Sequence, residues 1–172
     1  NADTLVFRAT FSEAVTGVDN ADFVPSASTA SVAVSVVSTT VYDVTLSGGN
    51  LAGFNGIVGL NIPITVSITD AVGNSLPVAE PGTDETYNVD NDAPTVIIDT
   101  HPANPTNATS ATFTFHSTEA PSTFACQLDS SGYSPCTSGK NYSSLGEGPH
   151  TFYVRATDEA GNTGADATYT WT

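Results

Sequence analysis

The stretch PHTFYVRATDEAGN, residues 149–162, is an alternating segment that ends in a short acidic turn. Its apolar residues Phe152, Val154 and Ala156 are separated by single residues, and a period of two is typical of a β-strand with one buried face. A similar stretch, PITVSITDAVGN, stands at residues 63–74 and ends in nearly the same six residues. The chain therefore contains one strand-and-turn unit twice, which indicates an internal repeat.

A second pair of matching segments supports the repeat. NADTLVFRATFSEA, residues 1–14, aligns with NATSATFTFHSTEA, residues 107–120, at an offset of 106 positions. The two strand-and-turn copies lie 86 to 88 positions apart, so the first half has the longer middle segment. Insertions between strands are the usual way in which such repeats differ. We therefore predict two domains, at residues 1–90 and 91–172.

The remaining composition also indicates β-structure. Val, Ile, Phe and Ala occur in short alternating runs with Ser and Thr, and residues that favour turns (Gly, Pro, Asn and Asp) separate these runs. No segment shows helical spacing, and no apolar run is long enough to span a bilayer. We therefore predict an all-β fold of two tandem β-sandwiches, with no membrane insertion by this chain.

Alternation also predicts which side chains face the core. In the first half, residues 31–38 and residues 57–69 are each predicted as one strand. Their alternating apolar residues are Val32, Val34, Val36, Ile62, Ile64, Val66 and Ile68. In the second half, the predicted inward residues are Val96, Ile98, Phe113, Phe115, Phe124, Cys126, Leu128, Phe152, Val154, Ala156 and Trp171.

The charge of the chain restricts its partners. Eighteen acidic residues stand against only three basic ones, Arg8, Lys140 and Arg155, so the formal net charge is -15. Such a surface repels phosphate backbones and anionic lipids, which argues against nucleic-acid and membrane-surface binding. Cations are the natural partners of this surface.

Several acidic residues are predicted to meet at one end of the second domain. In a seven-strand sandwich, segments that follow even-numbered strands return to the pole where the domain begins. Glu119 follows the second strand and Asp158 the sixth, and the linker DNDAP enters the same pole. Crowded carboxylates repel unless a cation cancels their charge, and calcium takes about six to eight oxygen ligands. The predicted interdomain calcium ligands are Asp90, Asn91, Asp92, Glu119, Asp158 and Asn162.

The repeated acidic turns have a second interpretation. An Asp that accepts hydrogen bonds from its own turn, followed by Gly at positive φ, builds a tight turn without any metal. For the upstream copy, Asp70 and Asn74 with Glu13 form either such a turn or an incomplete calcium site, and both interpretations stay open. For the downstream copy, calcium is the favoured interpretation.

Several segments resemble a known family. FSEAVTGVDNADF, ITDAVGN and ETYNVDNDAPTV resemble the bacterial immunoglobulin-like repeats found in tandem arrays on large secreted and cell-surface proteins. FACQLDSSGYSPC, LGEGPHTFYVRATDEAGN and TYTWT resemble a sister repeat of the same arrays. The linker DNDAP is similar to the calcium linkers of cadherins, although it lacks their full motif. The resemblance implies immunoglobulin-like sandwiches, an extracellular or cell-surface location and neighbouring repeats of the same parent chain as partners.

The first repeat departs from this family pattern at its start. The second repeat begins with a leader strand, APTVIIDTHPANPT at residues 93–106, before its NATSATFTF segment. The first repeat has no counterpart of this leader, so its sandwich is predicted to lack the opening strand within this chain. An unpaired sheet edge can be filled by another segment, which makes strand donation between identical subunits of a filament a minor alternative.

The two cysteines are predicted to form a disulfide. Cys126 and Cys136 flank the segment QLDSSGYSP, whose Ser-Ser-Gly is typical of a hairpin turn. A disulfide would indicate an oxidising compartment. A pair of buried free thiols and a metal-binding pair are the alternatives.

The other residues with chemical potential carry weaker signals. His101, His116 and His150 have no catalytic or metal-ligand spacing and are predicted to be surface or strand residues. Asn107 and Asn141 begin glycosylation sequons, which are candidate sites only in a host with that machinery. Paired carboxylates serve glycosidases, but here they lie on turns at a pole and not in a cleft, so no enzymatic activity is predicted.

These observations predict a structural role. The chain is expected to be a repeat module of an extracellular stalk, filament or adhesin, stiffened by calcium at the linker. An alternative is a binding module that presents loops or aromatic faces to a carbohydrate or a host surface protein.

Overall fold

The computed structural model describes residues 3–77 and 84–172. Within these ranges all strand pairs are antiparallel, and there is no α-helix. The same ranges contain no helix with the length and apolar character needed to cross a membrane. The predicted all-β class is therefore confirmed. The chain divides into two compact units, Asn1–Asn91 and Asp92–Thr172, called unit 1 and unit 2 below.

The described part of unit 1, residues 3–77 and 84–91, contains three small sheets. Its strands are β1 (Thr4–Thr10), β2 (Val15–Thr16), β3 (Val24–Pro25), β4 (Ser31–Val36), β5 (Val41–Ser47), β6 (Gly56–Asn61), β7 (Thr69–Asp70) and β8 (Thr86–Val89). The sheet orders are β1-β5-β4, β2-β7 and β3-β6-β8. Alternate residues of β5 are buried because this strand is the centre of its sheet. The main core consists of Leu5, Phe7, Phe23, Ala30, Val44, Leu46, Leu51, Val58 and Val89.

The predicted strand over residues 57–69 is confirmed for residues 57–61 but is wrong beyond them, except at Thr69, which begins β7. Strand β6 ends at Asn61, and the residues from there to β7 form no regular strand. Pro63 lacks an N–H and cannot donate to a sheet ladder, which explains why the strand stops there. Ile68 is buried, but Ile64 is 84% exposed. Val36, at the end of edge strand β4, is also mostly exposed, at 72%.

A buried carboxylate, which the sequence analysis missed, anchors a loop of unit 1. Asp22 ends a 3-10 helix, Asn20–Asp22, and forms a capping box with Asp19. One carboxylate oxygen accepts the backbone N–H of Asp19 at 2.8 Å, and the other accepts that of Ser67 at 2.7 Å. These bonds satisfy a side chain that is only 2% exposed. They fix the chain just before the buried Ile68.

Unit 2 contains two sheets and seven strands. Its strands are β9 (Val96–Thr100), β10 (Ser110–Ser117), β11 (Ser122–Leu128), β12 (Ser134–Cys136), β13 (Lys140–Ser143), β14 (His150–Asp158) and β15 (Ala167–Trp171). The sheet orders are β13-β10-β9 and β12-β11-β14-β15. Both sheets contribute to one core of Val96, Ala111, Phe113, Phe115, Cys126, Phe152, Val154, Ala156 and Trp171.

Aromatic packing dominates the core of unit 2. Phe113 of β10 stacks on Phe152 of β14 with 4.0 Å between ring centroids, and this contact joins the two sheets. Trp171 of β15 packs beside Phe113 at 5.4 Å. All residues predicted to point inward in this half are buried or half-buried. The two-residue alternation predicts burial correctly in this unit because each central strand has one face on the core.

Candidate metal site

The two acidic turns have the same hydrogen bonds. The backbone N–H of Asn162 donates to one oxygen of Asp158 at 2.8 Å, and its side-chain amide donates to the other at 2.9 Å. The equivalent bonds from Asn74 to Asp70 are 2.8 and 2.7 Å long. Gly161 and Gly73 both have φ near +90°, at 89° and 91°. Both copies of the repeated hexapeptide therefore form the same type of turn, held by an Asp that accepts hydrogen bonds from its own turn, as the second interpretation predicted.

The turns keep their carboxylates ionised. Hydrogen bonds from the side chain and backbone of Asn74 lower the pKa of Asp70. Partial desolvation alone would raise the pKa of Asp158, but hydrogen bonds from the side chain and backbone of Asn162 lower it overall. A carboxylate oxygen accepts more than one partner, so these bonds are compatible with metal coordination by Asp158.

Glu119 lies at the same end of unit 2 as Asp158. Ser122, the first residue of β11, pairs across the sheet with Asp158, the last residue of β14. The hydroxyl of Ser122 donates to the carbonyl oxygen of Glu119 at 2.7 Å. The leader segment is tied to this end too, because Thr118 donates its backbone N–H to the carbonyl of Thr95 at 2.9 Å. The leader segment, the start of β11 and the end of β14 thus meet at one end of unit 2. This explains why Glu119 and Asp158 lie at that end.

Three of the predicted ligands form one acidic cluster. Carboxylate oxygens of Asp90, Glu119 and Asp158 all lie within 4.8 Å of one another, and each of the three residues is half-buried. This cluster could hold a metal ion such as calcium. The donors fit that ion, since calcium prefers carboxylate oxygens and accepts irregular geometry. Among the described residues this is the one such group of three His, Cys, Asp or Glu side chains.

The other predicted ligands have different surroundings. The side-chain amide of Asn91 donates to the carbonyl oxygens of Leu51 and Phe54 at 2.7 and 3.0 Å. These bonds anchor the end of unit 1. Asp92 is exposed, and Asn162 is buried with its amide on Asp158. The assignment of these three residues as calcium ligands stays a prediction.

The upstream set lies beside one cavity of unit 1. Glu13, Asp70 and Asn74 all line a cavity of about 290 Å³. Asp70 and Asn74 bond to each other as the turn requires, and Glu13 is exposed. In the described part of the chain, no third acidic, histidine or cysteine side chain completes a cluster with them. The turn accounts for the known contacts of Asp70 and Asn74, and calcium there stays a prediction.

The predicted disulfide is present. Cys126 of β11 bonds to Cys136 of β12, with 5.8 Å between their Cα atoms. The two strands are adjacent in their sheet, with Phe124 opposite Cys136 and Cys126 opposite Ser134. The alternatives of free thiols and of a metal-binding pair are therefore wrong. A disulfide of this kind is typical of an oxidising compartment.

The two sequon asparagines are accessible. Asn107 precedes β10, and Asn141 lies on β13, where its side-chain amide donates to the hydroxyl of Thr112 at 2.7 Å. Both asparagines are exposed. Glycosylation at these positions stays a prediction.

The three histidines have three different environments. His101 stacks on Tyr169 with 3.7 Å between ring centroids, and His116 Nδ1 lies 2.8 Å from an Asp99 oxygen. His150 Nδ1 lies 2.8 Å from an Asp129 oxygen, and its Nε2 lies 3.2 Å from the carbonyl oxygen of Gly146. Both ring nitrogens of His150 face acceptors, which favours the doubly protonated ring.

His150 should make the stability of unit 2 depend on pH. The bonds to Asp129 and Gly146 raise the pKa of His150 above its usual value. Because the folded pKa is raised, the stabilisation is complete below about pH 6.5, the unfolded value, and is lost as the pH rises through the folded value. We expect the melting temperature of unit 2 to fall from about pH 6 to about pH 8.5, and the fall to be smaller in His150→Gln.

Thermal unfolding at several pH values, in low salt, measures this difference. Asp129→Asn is the matched variant, because it removes the carboxylate and leaves the histidine. It should lower the pKa of His150 in an NMR titration. An unchanged slope in His150→Gln would contradict the assignment.

No protein-family model matches this sequence, and no curated protein matches it either.

Proposed function

We propose that this chain is a structural repeat module of an extracellular stalk, filament or adhesin, built from two immunoglobulin-like sandwiches and stiffened by calcium at the linker. The observation that carries the proposal is the acidic cluster of Asp90, Glu119 and Asp158. The disulfide of unit 2 supports an oxidising, extracellular setting. The sheet orders of unit 2, three strands and four strands around one core, support the sandwich assignment.

The cluster suits a weak extracellular calcium site. Asp90, Glu119 and Asp158 would hold the ion, with Asn91, Asp92 and Asn162 as further candidates. The ion would supply positive charge that cancels the repulsion between the carboxylates. The three acidic side chains come from segments that are far apart in sequence, so each is already positioned by its own strand or turn. Extracellular calcium modules have dissociation constants of about 10⁻⁴ to 10⁻³ M.

Calcium should stabilise unit 2 through this cluster and not through the turn alone. At calcium concentrations about tenfold above the dissociation constant, we expect the melting temperature of unit 2 to rise by about 5–10 °C. Asp158→Asn and Glu119→Gln should each abolish most of this rise. Fluorescence of Trp171, the single tryptophan and a buried residue of unit 2, reports the transition.

Asp70→Asn is the matched control for Asp158→Asn. This variant makes the same Asp-to-Asn change in a turn with the same hydrogen bonds, but Asp70 lies outside the cluster of three carboxylates. Asp70→Asn should keep the full calcium response. If both turn variants lost the response equally, or if wild type showed none in millimolar calcium, the calcium assignment would be overturned.

Small-angle scattering tests the mechanical part of the proposal. A calcium-stiffened spacer should give a narrower range of particle dimensions in calcium than in chelator, and Glu119→Gln should remove the difference. Scattering that is unaffected by calcium, together with direct binding to a glycan array, would instead support the alternative role of a carbohydrate-binding module.

A further inference from the structure

Strands β1 and β10 occupy equivalent places in the two units. The alignment of residues 1–14 with residues 107–120 places Thr4 on Ser110, which are the first residues of β1 and β10. β1 pairs with β5, and β10 pairs with β13, in the same antiparallel sense. Phe7 and its counterpart Phe113 are both buried in their cores. Each edge of β1 therefore has an equivalent edge on β10.

The second edge of β10 is covered by its own leader. β9 pairs with that edge, with Ser117 opposite Val96 and Phe115 opposite Ile98. Val96 is buried and Ile98 half-buried, so the leader adds apolar side chains to the core of unit 2. In unit 1, β1 is the last strand of its sheet, and within residues 3–77 and 84–172 no strand pairs with its second edge.

The backbone of β1 presents hydrogen-bonding groups at this second edge. The N–H of Phe11 donates to the carbonyl of Thr40 in line with the β1–β5 register. Hydrogen-bonded residues alternate along an antiparallel pair, so the backbone groups of Val6, Arg8 and Thr10 point away from β5. The hydroxyl of Tyr87 donates to the carbonyl of Val6 at 2.7 Å, which shows the direction of these groups.

A groove with both apolar and polar lining residues runs along the same edge. It has a volume of about 580 Å³, and every residue of β1 from Phe7 to Thr10 lines it. Its other sides include the apolar side chains of Phe23, Leu60 and Leu76 and the acidic residues Asp84 and Glu85. Ala9 stands where unit 2 has the large ring of Phe115, so this part of unit 1 has a smaller core side chain at the edge.

We propose that the second edge of β1 is a binding site for an extended peptide segment with the chemistry of β9. The segment would run antiparallel to β1 and hydrogen-bond to Arg8 and Thr10. Its alternate apolar residues, at the positions of Val96 and Ile98, would enter the groove near Phe11 and Ala9, as the β9–β10 register requires. The occupant is thus an extended, alternately apolar strand with the sequence character of β9. This inference does not rest on calcium.

The test uses a synthetic peptide, APTVIIDT, copied from residues 93–100. It is titrated into the isotope-labelled full chain in chelator, so that a failure of the calcium proposal has no effect on the result. We expect the amide signals of Arg8 and Thr10 to shift more than those of Phe7 and Ala9, whose N–H groups face β5. A peptide with Val96→Asp and Ile98→Asp should not bind.

Two variants of unit 1 sharpen the test. Thr10→Pro removes the outward N–H and leaves the ladder to β5 intact, so peptide affinity should fall about tenfold. Thr10→Val keeps the N–H and should bind within about twofold of wild type. If Thr10→Pro fails to fold, the alternating shift pattern in wild type decides the question. Absence of binding at millimolar peptide, equal binding of the aspartate peptide, or shifts without alternation would each overturn the proposal.

Discussion

Phe113→Ala is expected to lower the free energy of unfolding of unit 2 by about 3–5 kcal/mol, the usual cost of removing a buried phenylalanine ring. Phe113 is fully buried, and its ring contacts those of Phe152 and Trp171 from the opposite sheet. Small domains are stable by only about 5–15 kcal/mol, so the variant should be close to unfolding at physiological temperature. Urea titration followed by Trp171 fluorescence measures the change.

Phe113→Leu is the control for this prediction. It keeps most of the buried apolar volume and should cost much less than the alanine variant. Phe7→Ala makes the equivalent change in unit 1 and should leave the signal of Trp171 largely unaffected, since Trp171 belongs to the core of unit 2. A loss below about 1 kcal/mol for Phe113→Ala would show that the two sheets do not depend on this stacked pair.

Local sequence pattern predicted unit 2 better than unit 1, and the reason is physical. Strands β10 and β14 have partners on both sides and one face on the core, so their alternation is complete. In unit 1, alternation continues through residues 62–68, but Pro63 cannot take part in a ladder and the chain leaves the sheet. Alternation without a pairing partner does not bury side chains, which is why Ile64 is exposed.

The positions of two members of the acidic cluster were predictable, because the ends of even-numbered strands lie at the end of a sandwich where the chain enters. Glu119 lies just after the second strand of unit 2 and Asp158 ends the sixth, and this places them at one end of the unit whatever the loop lengths are. The bonds of Asn91 to Leu51 and Phe54 were not predictable, since they join residues 40 and 37 positions apart through a loop conformation. The burial of Asp22 was missed for the same reason, although the spacing of Asp19 and Asp22 is a capping-box signal.

Removal of the disulfide is expected to have the second largest effect. Cys126 and Cys136 are 10 residues apart. Without the bond the unfolded chain regains conformational entropy, and for a loop of this size the loss of stability is about 3 kcal/mol. For a unit of this size, that corresponds to a fall of about 10–20 °C in melting temperature. The double variant Cys126→Ala with Cys136→Ala should therefore unfold well below wild type, as measured by Trp171 fluorescence.

Reduction of the wild-type protein separates the effect of opening the loop from the effect of removing the cysteine side chains. Reductant opens the loop but keeps both sulfur atoms, whereas the double alanine variant also removes the buried side chain of Cys126. We expect reduced wild type to show most of the fall and the variant to show slightly more, because a small cavity adds to the lost constraint. Unit 1 has no cysteine, so Phe7→Ala should destabilise it equally with and without reductant. A reduced protein that melted within about 2 °C of the oxidised one would mean that the strand pairing of β11 and β12 already restricts this loop without the covalent bond.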